Sequence, residues 1–91
     1  MTHVVLTADV EDGVAWEAAF RTHGEMFRNA NLGTIHFAVG SDNHVVMLTD
    51  VDDVDAYLEF VTSPTTQDAM KGDGVKRDTV KVVTLDKTFS G

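Results

Sequence analysis

The sequence predicts an α+β sandwich: a four-stranded antiparallel sheet with two helices on one face. Two observations predict it. Four short runs rich in β-branched residues and two amphipathic segments follow one another in the order βαββαβ. The two central runs are separated only by Gly40-Ser41-Asp42-Asn43, a four-residue turn. A central hairpin flanked by two right-handed β-α-β crossovers gives the ferredoxin-like strand order 4-1-3-2, in a single domain over residues 1–91.

Residues 3–10 (HVVLTADV) form the first strand. Asp12 is placed to cap the helix that follows, its carboxylate accepting from an otherwise orphan N–H. That helix is read over residues 12–31. Trp16, Phe20, His23 and Phe27 recur at steps of four, three and four residues. At about 100° per residue they fall within an arc of about 60°, widened on one side by Ala19, Met26 and Ala30. Glu17, Arg21, Glu25 and Arg28 point elsewhere. Gly33 stands just past the helix, where a left-handed residue or tight turn is expected.

Residues 34–39 (TIHFAV) alternate cleanly, and residues 44–49 (HVVMLT) return. Pairing Val39 with His44 sets Phe37 opposite Val46 and Ile35 opposite Leu48, and places His36 and His44 on opposite faces; a bulge in the turn reverses these assignments. The second helix starts near Asp52 or Asp53, with Val54, Tyr57, Leu58 and Val61 as its buried stripe. Ser63-Pro64 interrupts it, the serine capping a short further segment over residues 64–71 that buries Ala69 and Met70. Gly72 and Gly74 end that segment. Residues 79–85 (TVKVVTL) make the last strand, and residues 86–91 a short tail.

The sheet face without helices carries valine, methionine, threonine and alanine in strand after strand. An apolar face of that extent marks an interface, and sheet packed on sheet across a two-fold axis covers it. The expected partner is a second copy of the chain. Fifteen acidic against seven basic residues give a net charge of −8, which repels nucleic acid and anionic membranes. No run approaches the 18 or so apolar residues of a membrane span, and the N-terminus lacks the pattern of a signal peptide. The absence of cysteine removes disulfides, thiolate metal sites and thiol nucleophiles, and fits a reducing cytoplasm. Asp50, Asp52, Asp53 and Asp55 lack the spaced ligands, glycine and closing glutamate of a calcium loop, and read as acid at a helix start.

Several motifs together resemble a known superfamily. A first strand ending in acid precedes W-x₃-F-x₂-H (Trp16, Phe20, His23). F-x₂-S-P (Phe60, Ser63, Pro64) and A-M-x₃-G-V (Ala69, Met70, Gly74, Val75) follow before the last strand. The chain resembles small bacterial proteins of the dimeric α/β-barrel superfamily, which includes antibiotic-biosynthesis monooxygenases, haem-degrading monooxygenases and stress-responsive barrel proteins. The resemblance implies a homodimer and a pocket between helices and sheet, on the side that the His23 stripe faces. The haem-degrading branch uses a first-strand asparagine and a histidine on the second helix. Here that strand offers His3, Thr7 and Asp9, and the second helix has no histidine, which speaks against haem degradation.

His23 carries two readings. In an apolar pocket an imidazole accepts a proton from a phenol or enol, and a cofactor-free oxygenase needs little more, because a substrate carbanion can itself reduce oxygen. The other reading is a core histidine bonded to a backbone carbonyl or to Tyr57. Trp16, Phe20, Phe27, Phe37 and Tyr57 are the candidate ligand-binding residues, and equally candidates for plain core. No metal site is expected from His3, His36 and His44, and no cofactor is called for. Two function classes follow: a small monooxygenase or proton-transfer isomerase acting on an aromatic or polyketide-like compound, and a non-catalytic dimeric binding or interaction module.

Overall fold

The computed structural model describes residues 2–91. Its elements are β1 (Thr2–Val10), α1 (Gly13–Phe20), a 3-10 turn (Arg21–His23), α2 (Gly24–Asn29), β2 (Ile35–Val39), β3 (His44–Val51), α3 (Val54–Thr62), α4 (Pro64–Gly72) and β4 (Val75–Leu85). The sheet is antiparallel in the order β2-β3-β1-β4, which read from the opposite edge is the predicted 4-1-3-2. Val4, Leu6, Ala8 and Val10 alternate into the core from the central strand, where Val45, Val51, Trp16, Phe20, Tyr57 and Val61 meet them.

The helix starts form as the sequence indicates. Asp12 Oδ1 accepts from the backbone N–H of Val14 at 2.9 Å and of Ala15 at 3.2 Å. Asp53 Oδ1 accepts from the N–H of Ala56 at 3.1 Å, which accounts for one member of the acidic run. Ser63 caps α4 with Pro64 in its first turn. The proline break frees the last carbonyls of α3. Ser63 Oγ donates to Phe60 O at 2.8 Å, and Gln67 Nε2 donates to Val61 O at 3.0 Å.

Five expectations are corrected. The opening helix is not continuous over residues 12–31: Thr22 Oγ1 donates back to Ala19 O at 2.6 Å and Gly24 follows, a combination that tightens the turn and splits the helix at His23. The left-handed residue after α2 is Asn31, at φ 61°, rather than Gly33. The hairpin register is shifted by one: Val39 pairs with Val45, Phe37 with Met47 and Ile35 with Thr49, because Asn43 takes φ 61° in the turn. Met47, Val45 and Thr49 therefore lie under the helices, while Val46, Leu48, His36 and His44 share the open face. Leu58 is exposed and Phe60 packs against the core instead. β4 also begins earlier than predicted, since Val75 pairs with Val10 ahead of a bulge.

The open face carries Val5, Val46, Leu48, Val83 and Leu85. A histidine–aspartate contact stands at each end of the β1–β3 ladder, His3 with Asp50 at one and His44 Nδ1 with Asp9 Oδ1 at 2.7 Å at the other.

Candidate functional site

A narrow cavity lies between the sheet and the helices. Leu6, Ala8, Val45, Met47 and Thr49 form its floor, and Trp16, Phe20, Phe27, Tyr57, Phe60 and Met70 its roof and sides. Its volume is about 60 Å³. At roughly 10–15 Å³ per water on that measure, it holds a few waters or part of one ring. A wider hollow of about 300 Å³ lies alongside and shares Leu32, Tyr57 and Phe60 as walls.

The aromatic residues of the stripe pack on one another. Trp16 stacks on Phe20 with ring centroids 4.8 Å apart, and Phe20 meets Phe27 at 5.2 Å. Phe37 does not line the cavity. It supports the wall from β2, 5.0 Å from Phe20 and 5.8 Å from Trp16, with the Arg21 guanidinium 5.2 Å from its ring centre. Of the six sequence-derived site residues, the structure thus brings Trp16, Phe20, His23, Phe27 and Tyr57 together around the cavity and leaves Phe37 behind them.

His23 occupies the break between α1 and α2, so its ring reaches the cavity wall from a turn rather than from mid-helix. Its partner is neither a backbone carbonyl nor Tyr57. His23 Nε2 lies 2.8 Å from Asp73 Oδ2, across 50 residues of sequence, with side chains 25% and 12% exposed. Asp73 follows α4, and both residues line the cavity. From sequence, Gly72 and Gly74 only end the preceding helical segment, and the Asp73 between them carries no predicted role. The available signal was electrostatic: a carboxylate at a helix C-terminus faces the negative end of the macrodipole and needs a partner to be comfortable there.

Among the described residues no lysine or arginine lines the cavity, and its ionisable side chains are His23, Asp73 and Tyr57. Thr49 and Thr66 are buried and polar. Burial pushes the Tyr57 phenol up to about 12, keeping it a neutral hydroxyl across the physiological range. Among the described residues, no three His, Asp or Glu side chains converge as metal ligands would.

No protein-family model matches the chain, and no curated protein matches its sequence. Solved structures do match. A protein from Bordetella bronchiseptica described as a candidate antibiotic biosynthesis monooxygenase is 17% identical with a TM-score of 0.74, over 97% of each chain. The chain has the fold of the antibiotic-biosynthesis monooxygenases. SnoaB from Streptomyces nogalater, a cofactor-independent oxygenase, superposes with a TM-score of 0.69 at 15% identity, covering 98% of this chain and 94% of SnoaB. A monooxygenase from Streptomyces coelicolor, in complex with nanaomycin D, gives 0.63 at 14% identity, covering 98% of this chain and 88% of that one. No helix of the described residues is long and apolar enough to cross a membrane.

Proposed function

We propose that the chain is a homodimeric small-molecule-binding protein that carries out cofactor-free monooxygenation of an aromatic hydroxyl compound of polyketide type, with His23 as general base. The observation that supports it most is a single histidine, paired with Asp73, set in the wall of a mainly apolar cavity. The base removes a proton from a phenol or enol and leaves an electron-rich carbanion. That carbanion reduces dioxygen directly, and a ring CH₂ plus O₂ becomes C=O plus H₂O. The apolar walls exclude competing water from the intermediate. A proton-transfer isomerase would use the first half of the same chemistry.

A ligand of one ring or more has to join the narrow cavity to the adjoining hollow by swinging Tyr57 and Phe60, which separate them. The narrowness of the resting cavity favours a second reading, a dimeric binding or interaction module without turnover. Oxygen uptake distinguishes the two. With an anthrone or hydroquinone the parent should consume oxygen, and His23→Leu should lose at least a hundredfold in rate while staying folded. Ligand binding with no oxygen uptake by the parent would leave only the binding module.

A further inference from the structure

We propose that Asp73 is a positioning residue that fixes the proton of His23 on Nε2, leaving Nδ1 as the basic nitrogen offered to a ligand. The inference rests on the reading of His23 as a base and names the group that would make it one. The loop holding Asp73 is anchored on both sides. Its N–H bonds to Ala69 O at 2.9 Å, and the N–H of Glu11 bonds to Gly74 O at 2.9 Å. Gly74 adopts φ 78°, a left-handed conformation that favours glycine, so the chain turns sharply into β4 just after the carboxylate. Asp73 is thus held against His23 by backbone geometry rather than by side-chain chance.

A carboxylate can only accept, so in the 2.8 Å contact the proton belongs to Nε2. Among the described residues Nδ1 has no protein partner. When a neutral hydroxyl meets Nδ1, its O–H bond breaks and an N–H bond forms. The resulting imidazolium is neutralised by Asp73 on its far side, and no electron is transferred. The same arrangement sets a charge preference. The cavity wall holds a carboxylate and no lysine or arginine, so a neutral weak acid is accepted and an anionic carboxylate ligand is not.

The test joins nitrogen NMR of the ligand-free protein with binding of 4-nitrophenol, whose phenolate is yellow and whose phenol is not. His23 signals are assigned by their loss in His23→Leu. In the parent, neutral His23 should be the Nε2–H tautomer. In Asp73→Asn, whose amide offers both a donor and an acceptor, that preference should fall. At a pH below the ionisation of the free probe, the parent should generate a phenolate band on binding. Asp73→Asn should give at least tenfold less, Asp73→Glu should restore part of it, and 4-nitrobenzoate should not bind. A parent dominated by the Nδ1–H tautomer would overturn the proposal, and so would equal phenolate bands in parent and Asp73→Asn. A merely structural Asp73 would shift the melting temperature and leave the tautomer alone. Should the probe bind neither protein, the pocket reading fails separately, and the tautomer alone decides the role of Asp73.

Discussion

At the scale of single residues, Tyr57 gives the clearest pH signature. It is the only tyrosine of the chain, so its ionisation can be followed directly by ultraviolet absorbance. Burial raises its pKa from 10.0 to about 12, so the folded chain holds the phenolic proton more tightly than the unfolded chain does. The stability this contributes is full below pH 10 and is lost as pH rises through about 12, a loss on the order of 3 kcal/mol. Tyr57→Phe should flatten that alkaline decline in urea titrations. Trp16, 3% exposed and stacked on Phe20, should cost about 3–5 kcal/mol when changed to alanine, read as a lower denaturation midpoint. The stripe of Trp16, Phe20 and Phe27 was legible because a helical period is a local property. Asp73 was not, because its contact with His23 spans 50 residues and no local pattern encodes it.

At the scale of elements, caps and turns were legible and phases were less so. Asp12, Asp53 and Ser63 act through bonds to N–H groups two or three residues away, which sequence displays directly. The hairpin register depends instead on one turn residue, Asn43, whose left-handed backbone shifts every partner of β2 by one. Likewise Thr22 splits a helix that its apolar spacing alone would continue. The join between α1 and β2 is tight: a Cβ at Gly13 would stand 2.5 Å from Val39 Cγ1. Gly13→Ala should therefore destabilise by about 1–3 kcal/mol, through displacement of Val39. A variant melting with the parent would show that this edge of the sheet is loose.

At the scale of the molecule, the open sheet face is where the proposed dimer would form. Val83 and Leu85 are 56% and 47% exposed, and Val46 is 36% exposed, with His3–Asp50 and His44–Asp9 at either end of the β1–β3 ladder. We expect a second copy to cover this face, so the melting temperature should rise with protein concentration. Val46→Asp, at its centre, should yield monomers by sedimentation. A parent that sediments as a folded monomer at micromolar concentration contradicts the dimer. The topology was legible because the order of elements and the handedness of crossovers leave few alternatives. The pocket was implied by the family resemblance alone, since whether facing side chains fill a space depends on tertiary packing to within a methyl group.

The central claim is that the cavity holds an aromatic hydroxyl against His23. Calorimetric titration of phenol and of its methyl ether, anisole, into the parent and into His23→Leu tests it most directly. One hydrogen bond to a half-buried acceptor amounts to roughly 1–1.5 kcal/mol, so the parent should prefer phenol by about tenfold. In His23→Leu that preference should vanish while anisole binds as well as before. Equal affinities for phenol and anisole in the parent, or an undiminished preference in His23→Leu, would contradict the account.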